Sequence, residues 1–445
     1  MRFHRIPCRP AAQGSAASLR VRHSATGLTD GAGLLLVRQL WDRFALSARI
    51  DAHAPAVGGR YRASTMLETW VAGLLYGVEH LDDLQYLAAR GVAPLFGWTR
   101  VPDPTTMGRW LRRGGTAMAA HVDTLTWWLV RARWRQTRVP PAVTLLLDST
   151  VVQRYGTQQA GASAGYNPTR KGRPSHHPLL AFLDTGDCLG VRWRPGAAHT
   201  AAGALEWIPE LVARLRQAGV AQITVQLDKG FFSEAMVALL QRLRVDFVLK
   251  VPDHAYVRRA LGAWRASEKA DGYWTATGTL HGAALRSVEH RTLDALVPDA
   301  LGLETTTRAH VAHVLTNRDD WHALTAWRTY NAGTLVEQRI KELYQLGFGA
   351  TAIDDLGGNA LLAALTTLAY QVLHVSRTTA LAGAWSRAQP ARLRRWVFTL
   401  PARLTTHARK RTVQCRRDEP FRHQFLAALR GLRELIPPRV RALAV

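Results

Sequence analysis

Three acidic residues, far apart in the sequence, carry the clearest chemical signal in this 445-residue chain. Asp148 in LLLDST and Asp228 in ITVQLDKGF each end an apolar run typical of a strand, whereas Glu337 in VEQRIKEL lies inside a helical pattern. Carboxylates at two strand ends and on one helix can converge on a single point. Such a point can hold two divalent metal ions and act on phosphodiesters.

The chain is strongly basic, which indicates a polyanionic partner. Lys and Arg number 58 against 33 Asp and Glu, which gives a net charge of +25. Nucleic acid or an anionic membrane would fit this balance, and a GC-rich genome that favours Arg and Ala is the alternative source of the charge. No apolar run of about 18 residues is free of charges, Gly or Pro, so no membrane insertion is expected. Three scattered cysteines fit a reducing cytoplasm, because they form neither a disulfide framework nor a zinc pattern.

The length predicts two to four structural units. Residues 1–30 form a flexible polar lead-in, and 31–138 have the periodicity of a helical domain. From 139 to 383 the order is strand, hairpin strands, helix, strand, helix, strand, which predicts an α/β sheet. Short antiparallel strands at about 252–310 interrupt the alternation as a β-rich insertion, and 384–445 form a basic helical region.

Local residues predict where several elements begin and end. The sequence DTGD at 184–187 predicts a hairpin, and Gly219 ends the helix that follows. Ser233 is the expected N-cap of the next helix. His199, which precedes a helix, is expected to cap it.

Two basic segments are candidates for DNA contact. The first is a short helix that opens after a turn near Pro104 and carries Arg109, Arg112 and Arg113. Its basic face suits helix-turn-helix insertion into DNA, and an ordinary amphipathic surface helix is the alternative.

The second basic segment is the Gly- and Ser-rich loop after the first Asp. Arg170, Lys171 and Arg173 in this loop are expected to hold DNA near the site, unless the loop is merely solvated. His176 and His177 follow without a Cys or a spaced partner, so they are expected to contact phosphate or cap a strand rather than bind a metal ion.

Five sequence motifs occur in one order along the chain: LLLDSTVV, the loop YGTQQAGASAGYNPTRKGRPSHHPLLAF, LDKGFFS, VLTN, and YN followed by VEQRIKEL. On these motifs the chain resembles DDE transposases of bacterial insertion sequences. The resemblance is to the cut-and-paste group with a Tyr-Arg-Glu-Lys signature and, within it, to the thirteen-eighty family. It implies a ribonuclease-H-like core with a β-rich insertion before the final Glu. With the sequence pattern, the predicted fold is an α/β core of this kind, flanked by an all-α N-terminal domain and a basic helical C-terminal region.

The resemblance also implies a reaction and its participants. Asp148, Asp228 and Glu337 would bind two Mg²⁺ or Mn²⁺ ions, because these cations prefer hard oxygen ligands. The enzyme would bind terminal inverted repeats, cleave the element ends and join them to target double-stranded DNA, as a homodimer in the synaptic complex. Such a protein is expected in the bacterial cytoplasm, associated with the nucleoid, without a membrane partner. A nuclease that cleaves without joining is a further alternative.

The chain departs from the signature at two positions. Tyr330 matches, but Gly333 stands where Arg is expected and Tyr344 where Lys is expected. Lys341 lies one helical turn beyond Glu337 and would supply one phosphate contact, as would Tyr330. These departures leave open a second hypothesis, a decayed or repurposed transposase that binds DNA only.

Trp274 lies in the expected β-rich insertion. The resemblance implies a Trp there that stacks on a flipped base. A core position is the alternative, since the chain has 15 Trp residues to place.

Overall fold

A computed structural model of the chain forms two compact units, one of residues 1–136 and 342–445 and one of residues 137–341. The sequence instead predicts a boundary near 383, with separate N-terminal and C-terminal domains. Gly333 lies outside the described residues. The structure describes 25–155, 158–165, 170–299, 302–332, 335–350, 353–408 and 410–437, without the side chains of 291–299 and 302–309.

Helices dominate the first unit, and both helices and strands form the second. In the described residues the helices are α1 (Leu35–Arg43), α2 (Leu46–His53), α3 (Ala63–Tyr76), α4 (Leu84–Ala89), α5 (Ala93–Phe96), α6 (Pro104–Thr137), α7 (Ala204–Gln217), α8 (Glu234–Arg242), α9 (Ala255–Arg259), α10 (Ala323–Ala332), α11 (Leu335–Gln345), α12 (Leu356–Ala380), α13 (Pro390–Leu393) and α14 (Arg422–Glu434).

The strands of the described residues form three sheets. They are β1 (Leu28–Thr29), β2 (Ala142–Ser149), β3 (Val152–Gln153), β4 (Ser163–Ala164), β5 (Pro174–His176), β6 (Leu179–Leu183), β7 (Cys188–Arg192), β8 (Gln222–Leu227), β9 (Asp246–Val251), β10 (Arg265–Ala266), β11 (Tyr273–Leu280), β12 (Ala283–Asp299), β13 (Gly302–Thr316), β14 (Ala402–His407) and β15 (Lys410–Cys415).

Helix α12 forms the centre of the first unit and packs against α1, α3 and α14. By length and composition it could cross a membrane, so the expectation that no such stretch exists is wrong. However, 83% of its most apolar stretch is buried inside the protein. A helix that is apolar on all sides is typical of a core when other helices cover it, which explains why residues beyond 342 join this unit.

The predicted short basic helix is the first part of α6. The span Pro104–Thr137 consists of two helices that meet at a kink at Gly115, whose φ of 46° and ψ of −142° lie outside the helical region. Asp103 caps its start, because Asp103 Oδ1 accepts a hydrogen bond from Thr106 N at 2.8 Å. Trp110 and Leu111 of this first helix are buried, so one of its faces packs inside the protein. A helix-turn-helix role for it stays a prediction.

The second unit contains a mixed sheet of nine strands, in the order β10-β11-β12-β13-β9-β8-β2-β6-β7. Strands β2, β8 and β9 run parallel, whereas β6 and β7 are antiparallel and form the predicted hairpin. All five residues of β6 are buried, as expected for a strand covered on both faces. The α/β prediction is therefore confirmed.

Of the two capping residues that the sequence predicts, one caps its helix and the other does not. Ser233 caps α8, since its hydroxyl accepts a hydrogen bond from Met236 N at 3.1 Å. The expected capping by His199 is wrong, because α7 begins at Ala204 after Gly203. His199 Nδ1 instead accepts a hydrogen bond from Ala201 N at 3.2 Å, within the preceding turn.

The segment at about 252–310 contains strands that extend the large sheet. Strand β13 pairs with β9 from His313 to Thr316, and β12 and β11 follow outward. Asn317 fixes the junction, because its side chain accepts a hydrogen bond from Phe247 N at 3.1 Å and donates one to Val245 O at 3.0 Å. The strands therefore continue the sheet from β9 to its far edge.

Candidate active site

The pairing of two parallel strands brings the first two acids to the same edge of the sheet. Leu146 of β2 lies opposite Gln226 of β8, and Asp148 and Asp228 each follow two residues later. Glu337 lies in the first turn of α11. All three carboxylates line one cavity of about 260 Å³ at the carboxyl ends of these strands.

The carboxyl group of Asp148 has a strongly raised pKa. Burial raises the pKa of Asp148 to about 7, and the negative charges of Asp228 and Glu337 act in the same direction. Only the Ser149 backbone N–H, which donates to Asp148 Oδ1 at 2.7 Å, lowers this pKa. The cavity therefore concentrates negative charge that a bound cation would offset.

Tyr330 forms a hydrogen bond with the second Asp. Its hydroxyl donates a hydrogen bond to Asp228 Oδ1 at 2.8 Å. Burial and the neighbouring Asp228 raise the pKa of Tyr330, so the hydroxyl keeps its proton. Gln226 Nε2 donates to Tyr330 O at 2.7 Å and fixes the end of α10. Contact of Tyr330 with DNA stays a prediction.

A lysine shares the cavity with the acids. Lys250 lies on β9, and its Nζ is 5.3 Å from the centroid of the Tyr330 ring. Lys250 and Asn331 both line the cavity. Neither Lys250 nor Gln226 was predicted from the sequence. Lys250 follows the apolar run Phe247–Leu249 of β9, and this interruption is a sequence signal by which it could have been found. Gln226 continues the alternation of Gln222 and Thr224 in β8, so the sequence carries no such signal for it.

A buried histidine supports the residue next to the first Asp. His177 Nδ1 lies 2.8 Å from Ala198 O, and Nε2 lies 3.0 Å from Ser149 Oγ. Because a carbonyl only accepts, Nδ1 carries the proton and Nε2 accepts from the Ser149 hydroxyl. Burial lowers the pKa of His177, which favours this neutral ring.

The prediction that the two adjacent histidines contact phosphate is wrong. The side chains of His176 and His177 are both buried. His176 Nε2 lies 3.0 Å from Ala160 O, so this ring also bonds within the protein.

The basic residues of α6 are exposed. Arg109, Arg112 and Arg113 all lie on its solvent-facing surface. Arg112 Nε donates to Asp354 Oδ1 at 2.6 Å, so part of this positive charge is already paired. Their contact with DNA stays a prediction.

The basic loop residues Arg170, Lys171 and Arg173 are likewise exposed. The guanidinium carbon of Arg173 lies 5.6 Å from the centroid of the Tyr155 ring. The structure does not bring these three residues into the lining of the carboxylate cavity. Their role in holding DNA stays a prediction.

Two further predicted residues lie outside the cavity lining. Trp274 is half-buried on β11, in register with Glu289 of β12, and Lys341 is exposed on α11. Tyr344 is exposed and meets Phe348 edge to face, with ring centroids 5.7 Å apart. Base stacking by Trp274 and phosphate contact by Lys341 stay predictions.

The oxygen ligands of the cavity match divalent cations in chemical type. Among the described residues, no group of three or more His, Cys, Asp and Glu side chains is arranged to hold one metal ion. The three carboxylates still line one cavity, and Asp148 senses the charge of both others. A divalent cation such as Mg²⁺ prefers hard oxygen ligands, and it would offset the repulsion between these carboxylates.

Comparison with known proteins places the chain in a family. Its sequence matches the transposase DDE domain group 1 over residues 11–437. No curated protein shows a significant match. Among solved structures it is similar to a piggyBac transposase synaptic complex with hairpin DNA, with a TM-score of 0.40, 12% identity, and coverage of 92% of this chain and 86% of that chain.

The family match extends over nearly the whole chain. DDE transposases are polynucleotidyl transferases and nucleases that generally use divalent metal ions. The protein therefore belongs to the transposase DDE domain group 1 family and is a DDE transposase.

Proposed function

We propose that this transposase binds the terminal inverted repeats of its own element, cleaves both ends and joins them to target DNA. The observation that carries the proposal is the shared cavity of Asp148, Asp228, Glu337 and Lys250 at the carboxyl edge of parallel strands. A net charge of +25 suits a duplex DNA substrate.

We further propose that the second unit is a ribonuclease-H-like core. Its elements follow in the order β2, hairpin β6-β7, α7, β8, α8 and β9, which is the order that the resemblance to insertion-sequence transposases implies. Tyr330 and Glu337 fit the Tyr-Arg-Glu-Lys signature and so support the thirteen-eighty family, whereas Gly333 and Tyr344 depart from it.

The three carboxylates would hold two Mg²⁺ or Mn²⁺ ions. All three carboxylates line the cavity, and a raised pKa of Asp148 that comes from burial and from the charges of Asp228 and Glu337 is what bound cations would offset. When bound, such ions stabilise the attacking and leaving oxygens of an in-line displacement at phosphorus.

The chain's own residues prepare the cavity for a phosphodiester. The Tyr330 hydroxyl holds one oxygen of Asp228 by a hydrogen bond and thereby sets the orientation of that carboxylate. Lys250 would bind a non-bridging phosphate oxygen as a fixed positive charge. A cation on β9 would replace the charges missing at Gly333 and Tyr344, and this favours an active enzyme over a decayed copy.

A strand-transfer assay tests the function directly. It combines the protein with a labelled terminal repeat, a supercoiled plasmid and Mg²⁺. Joined product supports the transposase, binding without cleavage supports a DNA-binding protein, and nicks without joining support a nuclease.

The catalytic assignment is tested by Glu337→Ala, which should abolish cleavage. Glu234→Ala is the matched control, because Glu234 is also exposed in the first turn of a helix in the same unit but does not line the cavity. Normal cleavage by the Glu337→Ala protein in Mg²⁺ contradicts the assignment.

We propose a homodimer in the synaptic complex, because one active site handles one element end and a synapse holds two. Mass measurement of the complex with end DNA should give two chains and two duplexes. The corresponding location is the bacterial cytoplasm, at the nucleoid.

A further inference from the structure

A basic hairpin near the C-terminal end of the chain has two chemically different faces. It consists of β14 and β15, which pair antiparallel from Ala402 opposite Cys415 to His407 opposite Lys410. Residues 402–417 contain six Arg or Lys and no acidic residue. Strand β1 pairs only with the base of β14, so the outer part is a ribbon of two strands.

Cross-strand register assigns each side chain to a face, because successive residues of a strand point to opposite sides. One face begins with Ala402, Leu404, Val413 and Cys415, which are small or apolar, and ends with Thr406 and Arg411. Every side chain of the other face, called the polar face here, can donate a hydrogen bond: Arg403, Thr405, His407, Lys410, Thr412 and Gln414.

We propose that the polar face enters the major groove of double-stranded DNA; this inference rests on the proposed function. The major groove is about 12 Å wide and admits a two-stranded ribbon. Six residues of strand extend roughly 20 Å, which is the length of about six base pairs. At the base, beside β1, Arg403 suits the acceptors of guanine while its Nε also donates to Thr26 O at 3.3 Å, and Gln414 opposite it suits adenine. Nearer the tip, Thr405 can serve either base.

The hydrogen-bond donors are concentrated on one face of the hairpin, and this favours DNA binding over simple protection of the sheet edge. Strand β15 is an edge strand, and positive charge alone would discourage pairing with another strand. Protection does not require hydrogen-bond donors at every position of one face. Arg416 near the base is paired with Asp418 at 2.8 Å, whereas Lys410 at the tip is exposed.

The same face argues against two other anionic partners. It has no Trp, Tyr, Phe or long aliphatic side chain that would enter a lipid surface. It also lacks the aromatic rings on which single-stranded nucleic acid stacks. Duplex DNA is therefore the partner that the polar face fits.

Two adjacent residues provide a matched test in the full-length protein. Lys410 lies on the polar face and Arg411 on the opposite face of the same strand, so Lys410→Gln and Arg411→Gln remove equal charge. Arg411→Gln also removes a long hydrogen bond from Nη1 to Pro94 O at 3.5 Å. Anisotropy with a labelled terminal-repeat duplex should show Lys410→Gln about tenfold weaker and Arg411→Gln less than about threefold weaker. Arg403→Gln should lower the preference for this duplex over a shuffled one by about tenfold.

Several outcomes overturn the inference. Equal losses of DNA affinity in Lys410→Gln and Arg411→Gln would show that the hairpin contributes only non-specific positive charge. Wild-type affinity in both variants would remove the hairpin from the DNA interface. Preferential binding of the hairpin to anionic phosphatidylserine vesicles, or equal competition by single-stranded DNA, would identify another partner. Thermal melting of each variant controls for folding.

The result also separates this inference from the proposed function. If the wild type neither binds nor cleaves terminal-repeat DNA, the proposed function and the inference fail together. If the wild type binds and cleaves while all the hairpin variants bind equally well, only the inference fails.

Discussion

At the scale of single residues, the cavity combines three acids with one cation that the sequence motifs do not mark. Lys250 lines the cavity and lies close to Tyr330, so we expect it to bind the scissile phosphate. Lys250→Gln should lower the cleavage rate by about 10² at saturating Mg²⁺, as the loss of a preorganised charge does elsewhere. Lys250→Arg should restore part of the rate.

Lys229 supplies the matched control for this prediction. It is exposed, follows Asp228 directly and does not line the cavity, so Lys229→Gln should cleave at close to the wild-type rate. Equal rates for Lys250→Gln and the wild type would exclude Lys250 from the reaction.

The Tyr330 hydroxyl should tune metal affinity through Asp228. Tyr330→Phe removes one hydrogen bond to a charged acceptor, so the Mg²⁺ concentration for half-maximal cleavage should rise by about tenfold. Tyr273→Phe is the control, since Tyr273 stacks on His290 outside the cavity. An unchanged Mg²⁺ requirement in Tyr330→Phe would show that the hydroxyl does not orient Asp228.

Burial of the Asp148 carboxyl, together with the charges of Asp228 and Glu337, should make stability depend on pH when metal is chelated. Its pKa is raised from 3.8 to about 7, so the protonated acid stabilises the fold at low pH. This contribution is fully present below pH 3.8 and is lost as the pH rises through about 7.

Asp148→Asn tests this linkage by thermal melting in EDTA. Its Tm should exceed that of the wild type at and above pH 7 and should lack the wild-type decline. Mg²⁺ should raise the Tm of the wild type more than that of the variant. A Tm for Asp148→Asn below that of the wild type at high pH would contradict the raised pKa of Asp148.

At the scale of elements, one ion pair joins α11 to the buried helix α12. Glu342 Oε2 and Arg377 Nη2 are 2.9 Å apart, and both side chains are almost fully buried. Removal of one partner leaves the other charge buried, so Glu342→Ala should lower the free energy of unfolding by about 3–5 kcal/mol.

Urea denaturation measures this loss, and an exposed pair of similar length provides the comparison. Arg416 and Asp418 are 2.8 Å apart at the surface, so Asp418→Ala should lower the free energy of unfolding far less than Glu342→Ala does. A similar loss in both variants would show that burial adds nothing to the Glu342–Arg377 pair.

At the scale of the whole molecule, the net charge of +25 should govern affinity for any duplex. If six to ten phosphates are contacted, affinity should fall by about 10³–10⁵ between about 50 and 200 mM salt. Filter binding at several salt concentrations measures the slope for terminal-repeat and shuffled DNA. A shallow slope would show that most of the positive charge lies away from the DNA.

The sequence determined much of the fold because its signals are local. Apolar runs ending at Asp148 and Asp228 predicted strands, and Ser233 predicted a helix start. Each pattern depends on neighbours within a few residues, which a linear sequence displays directly. The capping role of His199 was predicted wrongly, since packing overrides weak terminal signals.

The candidate acids, the alternation of strands and helices, and the basic character of the protein could all be predicted from the sequence. The folded chain was needed to show that Lys250 and Gln226 line the same cavity as those acids, that His177 contacts Ser149, and that residues from 342 onward pack with the N-terminal helices. These contacts join residues far apart in the chain. Their spacing follows no local period, because sheet register and burial choose the partners.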